Sequence, residues 1–125
     1  MNKNIMVVDD EPDILTSIEQ MLEINGYSVI SASDGKECLQ KLSKLTINPD
    51  LILLDIMMPG ISGWDVAAEI KGNPQWKSIP IIFLTARGDT MSMGMGEMTS
   101  EDYIVKPFDI NNLINRIQKI LEKKH

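Results

Sequence analysis

Five polar side chains stand directly after short apolar runs in the sequence, namely Asp9, Asp10, Asp55, Thr85 and Lys106. Apolar runs without polar alternation are typical of strands that are covered on both faces in a parallel sheet. The carboxyl ends of parallel strands meet at one edge of the sheet, where ligands bind in open α/β folds. The sequence therefore predicts that all five side chains line one pocket.

The chemistry predicted for this pocket is the transfer of a phosphoryl group to a carboxylate. Three carboxylates close together repel one another, which raises their pKa values unless a cation offsets the charge, and an all-oxygen cluster suits Mg²⁺. Lys106 adds a fixed positive charge, and Thr85 adds a hydroxyl donor for a phosphoryl oxygen. A metal, a cation and a hydroxyl are the groups that formation of an aspartyl phosphate requires.

Asp55 is the carboxylate around which the other groups are arranged. It ends the apolar run Leu51–Leu54, and Pro59-Gly60 then prevents a direct continuation into a helix. The chain must turn there, which leaves the carboxylate at the edge of the sheet. An isolated aspartate in this position would only begin a turn, so its significance comes from the residues at the other strand ends.

Five strands are predicted, and they alternate with five helical stretches. The strands are Ile5–Val8, Tyr27–Ser31, Leu51–Leu54, Ile79–Leu84 and Tyr103–Val105. Of these, Tyr27–Ser31 has partial polar character, which predicts a place at or near a sheet edge. The alternation predicts a doubly wound α/β fold with a parallel sheet and right-handed crossovers.

Four of the helical stretches carry clear start or stop signals. The first runs from Pro12 to a stop at Gly26, the second opens at Asp34-Gly35 and closes at Asn48-Pro49, the third is capped by Ser62 and ends at Gly72-Asn73-Pro74, and the last begins at Asp109.

Residues 89–99 give a weaker signal, because four methionines are interleaved with Gly94 and Gly96. Each glycine weakens a helix by about 1 kcal/mol relative to alanine. A helix here is therefore predicted to be short or irregular. We further predict that it is disordered without phosphate and becomes ordered on phosphorylation or partner binding.

Length and composition predict a single domain over residues 1–125. Twelve basic and eighteen acidic residues give a net charge of −6, which argues against nucleic acid or an anionic membrane as the main partner. The single cysteine, Cys38, is expected to be buried or half-buried and fits a reducing compartment. Too few apolar residues precede Asp9 for a signal peptide or a membrane span, so a cytoplasmic location is expected.

Four ordered motifs resemble the receiver domains of two-component response regulators. They are Asp9-Asp10, Leu54-Asp55-Ile56-Met57-Met58-Pro59-Gly60, Leu84-Thr85-Ala86-Arg87-Gly88 and Asp102-Tyr103-Ile104-Val105-Lys106-Pro107-Phe108. The resemblance covers essentially the whole chain, and it implies a flavodoxin-like sheet of strand order 2-1-3-4-5 with five helices. The segment from Thr85 to Lys106 is shorter than the family pattern, and Thr99-Ser100-Glu101-Asp102 replaces a Gly-Ala-Asp-Asp-like sequence.

The resemblance also implies roles for the carboxylates. Asp55 would accept a phosphoryl group from a histidine kinase or a histidine phosphotransfer protein. Asp10, Asp55 and the backbone carbonyl of Met57 would bind Mg²⁺, with Asp9 helping through water.

Three further residues receive roles from the same resemblance. Thr85 and Lys106 would hold the phosphoryl oxygens, and Tyr103 would move with Thr85 to report phosphorylation.

Met57 and Arg87 flank the pocket, and Met57 cannot strongly hydrogen-bond an attacking water. We therefore predict a phosphoaspartate that hydrolyses slowly.

The implied role is regulatory, so the chain is expected to catalyse only its own phosphotransfer and dephosphorylation. The sequence ends soon after its last helix, and we expect a stand-alone receiver without an output domain, unless the chain is an excised piece of a larger protein. Output would then come through an unknown downstream protein, bound by a monomer or by a weak phosphorylation-dependent dimer.

Two other functional classes share parts of this pattern. A flavodoxin-like electron carrier would need a hydroxyl- and glycine-rich loop after the first strand, where this chain has Asp9-Asp10-Glu11. A haloacid-dehalogenase-type phosphohydrolase would need an Asp-x-Asp pair, and Asp55-Ile56-Met57 lacks the second acid. A colourless protein would argue against the first class, and absence of turnover on phosphate esters would argue against the second.

Overall fold

The structure, a computed structural model, describes residues 3–86 and 103–123. These residues form five strands and four helices. In chain order they are β1 (Asn4–Val8), α1 (Pro12–Ile24), β2 (Ser28–Ala32), α2 (Gly35–Lys44), β3 (Leu51–Asp55), α3 (Gly63–Lys71), β4 (Ile81–Ala86), β5 (Tyr103–Lys106) and α4 (Ile110–Lys123).

All five strands join one parallel sheet in the order β2-β1-β3-β4-β5. The predicted parallel sheet and its strand order are therefore confirmed, and β2 lies at an edge as its polar character predicted. The strand after β1 is added on one side of it and all later strands on the other, so the winding of the sheet reverses between β1 and β3 and leaves a crevice at the carboxyl ends of these two strands. Three of the predicted carboxylates stand at this crevice.

Two apolar clusters cover the two faces of the sheet. Alternate residues of β1, β3 and β4 point into each cluster, as the two-residue period of a strand requires. One cluster packs under α2 and α3, and it includes Cys38, which is buried as predicted. The other packs under α1 and α4. The central strands are thus covered on both faces, which explains why their sequences lack polar alternation.

The helix starts follow from local sequence. Pro12 occupies the first turn of α1, where its missing N–H costs nothing. Asp34 caps α2 by accepting a hydrogen bond from the backbone N–H of Glu37 at 2.8 Å. Ser62 caps α3 through the N–H of Asp65 at 3.3 Å. Each cap stands at the position that its residue type predicted.

Three predicted boundaries are wrong by two residues or more: the end of the second helix and both ends of the fourth strand, which runs to Ala86 and not to Leu84. The second helix ends at Lys44 and not at Asn48-Pro49, because Leu45 is already extended and the following Ile47 is exposed, so no packing supports another turn. The fourth strand begins at Ile81 and not at Ile79, since Pro80 has no N–H to give to a sheet.

The helix predicted over residues 89–99 lies outside the described residues, as do Arg87 and the Thr99-Ser100-Glu101-Asp102 sequence. Its predicted ordering on phosphorylation stays a prediction. Within the two described ranges, no helix is long and apolar enough to cross a membrane.

Candidate functional site at the carboxyl edge of the sheet

The structure brings four of the predicted polar residues together at one edge of the sheet. Asp9 and Asp10 follow β1, Asp55 is the last residue of β3, and Lys106 is the last residue of β5. Carboxylate oxygens of Asp9, Asp10 and Asp55 lie within 4.8 Å of one another. Asp9 and Asp55 are buried, whereas Asp10 is half-buried. The predicted acidic cluster is therefore present.

Lys106 is the cation of this cluster, and its shortest contact is with Asp9. Its Nζ donates to Asp9 Oδ2 at 2.8 Å and lies 3.6 Å from Asp55 Oδ1. The other oxygen of Asp9, Oδ1, accepts a hydrogen bond from the N–H of Glu11 at 2.9 Å, at the start of α1. Asp9 thus has both of its carboxylate oxygens engaged by protein groups.

Asp55 is the group whose protonation is most affected by this arrangement. Burial raises its pKa, the negative charge of Asp9 raises it further, and Asp10 adds to the effect. The positive charge of Lys106 opposes these influences only in part, and the resulting pKa is about 7, against an ordinary value of 3.8. Without further positive charge, this carboxyl is therefore only partly ionised near neutral pH.

The lysine responds in the opposite sense to its surroundings. Burial by itself would lower the pKa of the Lys106 ammonium. The hydrogen bond to Asp9 and the negative charges of Asp55, Asp9 and Glu11 outweigh burial, so the pKa is raised. Lys106 is therefore a permanent positive charge at neutral pH.

The three carboxylates fit a hard divalent cation. Mg²⁺ binds oxygen ligands at 2.0–2.1 Å in octahedral geometry, so two ligands on opposite sides of the ion are about 4.2 Å apart. The observed spread of at most 4.8 Å needs only small side-chain movements to reach that geometry. The raised pKa of Asp55, caused first by burial and then by the negative charge of Asp9, means that a cation at this position would favour the ionised carboxylate.

Thr85 has a different orientation from the charged residues. It is completely buried in β4, one residue beyond Leu84, which is the register partner of Asp55. Its hydroxyl donates to the carbonyl oxygen of Ala86 at 3.1 Å. Across residues 3–86 and 103–123, no hydrogen bond joins this hydroxyl to the charged cluster, so the structure holds Thr85 beside the cluster with its donor turned elsewhere.

Tyr103 shares a sheet face with Thr85. It pairs in register with Phe83, two residues before Thr85, and side chains two apart on a strand point to the same face. Tyr103 is 42% exposed. The two predicted switch residues therefore lie on neighbouring strands and on one face, with the tyrosine in an outward position.

Met57 lies just beyond β3 and is 58% exposed. Its predicted neighbour Arg87 lies outside the described residues. The exposed thioether of Met57 adds no charge to the pocket and cannot form a strong hydrogen bond with water.

Glu11 also contacts the site, although no role was predicted for it. Its Oε1 lies 3.8 Å from Lys106 Nζ, and its side chain is 60% exposed, so the lysine faces a third carboxylate on the solvent side. The run Asp9-Asp10-Glu11 contained this signal, because all three acids follow the same strand.

Comparison with known proteins gives a family match that agrees with this geometry. Residues 5–118 match the family model of the response regulator receiver domain. The chain is 41% identical over 124 residues to the alkaline phosphatase synthesis transcriptional regulatory protein PhoP of Bacillus subtilis. That alignment covers 98% of this chain and 50% of PhoP, so the chain spans about half the length of the curated relatives it matches.

Solved structures give the same result. The receiver domain of a Francisella response regulator is 32% identical and superimposes with a TM-score of 0.86, with 99% of this chain and 100% of that chain covered. The response regulator protein TrrA of Thermotoga maritima, solved in complex with Mg²⁺ and BeF, is 39% identical with a TM-score of 0.81. The overlap there is 94% of this chain and 98% of that one.

Proposed function

This chain belongs to the response regulator receiver family of two-component systems, and we propose that Asp55 is its phosphoacceptor. The observation that carries the proposal is the placement of the Asp55 carboxylate: it is buried at the carboxyl edge of the sheet, 3.6 Å from the Lys106 ammonium and within 4.8 Å of two further carboxylates. Receiver domains of response regulators interact with histidine kinases, and a histidine kinase or histidine phosphotransfer protein is the proposed donor.

The proposed step is a displacement at phosphorus. A carboxylate oxygen of Asp55 attacks the phosphorus of a phosphohistidine, so that an O–P bond forms while the P–N bond breaks. The electron pair of the broken bond returns to the imidazole nitrogen, which leaves and takes up a proton. Asp55 must be ionised to attack, so its raised pKa means that additional positive charge at the site favours the reaction.

The metal site proposed for this chain uses oxygen atoms of Asp10 and Asp55, the backbone carbonyl of Met57 and, through water, Asp9. The charge and spacing of the three carboxylates support it. Bound Mg²⁺ would supply charge stabilisation for the phosphoryl oxygens. TrrA, which is similar to this chain, was solved with Mg²⁺ and BeF, and that supports the same choice of ion here.

Lys106 and Thr85 are proposed to hold the transferred group. The lysine can shift from Asp9 towards a phosphoryl oxygen on Asp55, because 3.6 Å already separates it from Asp55 Oδ1. The Thr85 hydroxyl must leave the carbonyl of Ala86 and turn towards the site. That rotation frees space on the face it shares with Tyr103, and we propose that inward movement of this exposed tyrosine reports phosphorylation.

The role proposed for the chain is regulatory. It would catalyse only its own phosphotransfer and dephosphorylation, in the cytoplasm, and act through a downstream protein whose affinity changes with phosphorylation, as a monomer or a weak phosphorylation-dependent dimer. The matched family is the receiver family, so neither an electron carrier nor a phosphohydrolase is proposed.

The experiment is phosphorylation with a small phosphodonor and Mg²⁺, followed by mass spectrometry to locate the modified residue. We expect one acid-labile phosphoryl group on Asp55, none on Asp55→Asn, and wild-type labelling of Asp50→Asn. Asp50 is the matched control because it lies at the opposite end of β3, and an asparagine there keeps an oxygen to accept the N–H of Asn4. Labelling of Asp55→Asn at the wild-type level would refute the assignment.

A further inference from the structure

We propose that Gly63 is a positioning residue for the Asp55 site, acting through the backbone where β3 ends. The inference rests on the proposed function: its phosphorylation readout depends on the proposed phosphoacceptor, and its metal-binding readout depends only on the proposed Mg²⁺ site.

Gly63 is the first residue of α3 and is buried. Its N–H donates to the carbonyl oxygen of Ile56 at 2.7 Å, which ties the start of α3 to the residue directly after Asp55. A Cβ atom added to Gly63 would lie 2.7 Å from the Cα of Ile56 and 3.0 Å from the carbonyl carbon of Asp55, and would also overlap the Asp55 carbonyl oxygen. All of these are backbone atoms, so no side-chain rotation could relieve the overlap.

Helix formation gives no reason for a glycine at this position. Glycine is the poorest helix former apart from proline, and the first turn of a helix accepts most residues. The helix is already capped by the Ser62 side chain. The close approach of α3 to the backbone of Asp55 and Ile56 therefore explains the absence of a side chain.

This approach closes the segment between β3 and α3. Asp55 and Ile56 stand at one end of the segment, and Gly63 stands at the other, bonded back to Ile56. Met57, whose carbonyl is a proposed metal ligand, lies between them. A side chain at residue 63 would push α3 away from β3, and the segment would carry Asp55 and the carbonyl of Met57 out of their positions.

Two other glycines provide matched controls. A Cβ on Gly35 would come within 2.6 Å of Val66 Cγ2 and within 3.3 Å of Ile61 Cβ and its carbonyl oxygen. Gly35→Ala therefore crowds α3 and the far part of the same segment, while its three nearest atoms include none of Asp55 or Ile56. Gly72 caps the opposite end of α3, where a Cβ would lie 3.3 Å from the carbonyl oxygen of Ala68. Together they separate a general loss of stability from a displacement of the site.

The test compares Gly63→Ala, Gly35→Ala and Gly72→Ala at a temperature where circular dichroism shows each to be folded. For Gly63→Ala we expect the Kd for Mg²⁺, measured by calorimetry, to rise on the order of tenfold, because small displacements of a site have large effects. We expect the phosphorylation rate at saturating Mg²⁺ to fall by a similar factor. Both controls should stay within about twofold of the wild type, on the same reasoning.

The inference is overturned if folded Gly63→Ala keeps the wild-type Kd and rate, or if Gly35→Ala loses as much as Gly63→Ala. If Gly63→Ala does not fold, NMR spectra of wild-type protein labelled with ¹⁵N-glycine test the proposal instead. The Gly63 amide resonance should then shift on Mg²⁺ titration while those of Gly35 and Gly72 do not, and an unmoved Gly63 resonance refutes the proposal. If the wild type binds Mg²⁺ but takes no phosphoryl group, the proposed function fails while the Kd comparison still judges Gly63.

Discussion

As the proposed phosphoacceptor, Asp55 combines two requirements that oppose each other. A nucleophilic carboxylate must be ionised, yet burial and the neighbouring acids raise its pKa to about 7. Lys106 offsets part of this, but it is bonded mainly to Asp9, at 2.8 Å against 3.6 Å to Asp55. Added positive charge near Asp55 therefore favours its ionised form. Without that charge, ionising Asp55 lowers the stability of the folded chain.

Replacing Asp55 with asparagine should stabilise the metal-free protein at alkaline pH. Its pKa is higher in the folded chain than the ordinary 3.8, so between about pH 4 and 7 the folded state binds more protons, and the stability from this group falls as pH rises. At about 1.4 kcal/mol per pKa unit, we expect Asp55→Asn to gain on the order of 1 kcal/mol or more at pH 8, and less at pH 5.

Urea unfolding without Mg²⁺ at the two pH values measures this difference, with Asp50→Asn as the control on the same strand. A difference between Asp55→Asn and wild type that does not change with pH would show that Asp55 ionises normally in the folded chain.

Met57 is expected to set the lifetime of the phosphorylated form. Its exposed thioether cannot orient an attacking water by a strong hydrogen bond, and asparagine at the same position can. Met57→Asn should therefore shorten the half-life of the phosphoaspartate several-fold, which is less than the roughly 10²- to 10⁴-fold that a fully positioned general acid or base contributes. Loss of the phosphoryl group after removal of the donor, followed by intact-protein mass spectrometry, gives the half-life. An unchanged half-life would show that this side chain is not limiting.

Helix caps and strand ends act together at the level of elements. The strands place the charged side chains at one edge of the sheet. The helices hold the strand ends, because the N–H of Glu11 at the start of α1 donates to Asp9, and the N–H of Gly63 at the start of α3 donates to the carbonyl oxygen of Ile56. The elements differ in how closely they couple to the site. Asp34 caps only its own helix, α2. Removing this cap therefore tests whether a helix can be destabilised without a change at the site.

Asp34→Ala should destabilise the fold by about 1 kcal/mol, because it removes the acceptor for the N–H of Glu37 at the start of α2. The Kd for Mg²⁺ should not change. Denaturant midpoints at an unchanged m-value measure the first effect, and calorimetry measures the second. Glu69→Ala, on the exposed side of α3, is the control and should change stability by less than about 0.5 kcal/mol. A weakened metal site in Asp34→Ala would mean that α2 supports the pocket.

The whole molecule is a sheet that concentrates negative charge at one edge. The chain carries a net charge of −6, and three of its carboxylates converge at the ends of β1 and β3. Their mutual repulsion is a cost to the folded state only, because the unfolded chain separates Asp55 from the other two. Ligands that relieve this repulsion should therefore stabilise the entire fold.

Mg²⁺ should raise the melting temperature of the wild type, and Asp10→Ala should abolish the increase. A ligand that binds only the folded state stabilises it by RT ln(1 + [L]/Kd), or about 2.7 kcal/mol at a hundredfold excess over Kd. Thermal scans with and without Mg²⁺ measure the shift, and Asp13→Ala, an exposed acid in the first turn of α1, is the control. Equal shifts in wild type and Asp10→Ala would place the ion elsewhere.

Features that depend on local residue patterns were predictable from the amino-acid sequence. Unbroken apolar runs specified the buried strands, Asp34 and Ser62 specified two helix starts, and the residues at the strand ends identified the pocket and the family. These succeed because strand burial and capping are decided by neighbours in the chain. Element boundaries that depend on packing, such as the end of α2 at Lys44, were predicted wrongly.

The pairing of the pocket residues depends on how the strands and helices pack, and it was not predictable from residue patterns. The ion pair of Lys106 with Asp9 joins residues 97 positions apart, and its length depends on the register of four neighbouring strands. The raised pKa of Asp55 depends on burial and on charges from other strands. The role proposed for Gly63 depends on the distance between α3 and β3. Each is a through-space distance between elements, which a local pattern of residue types does not encode.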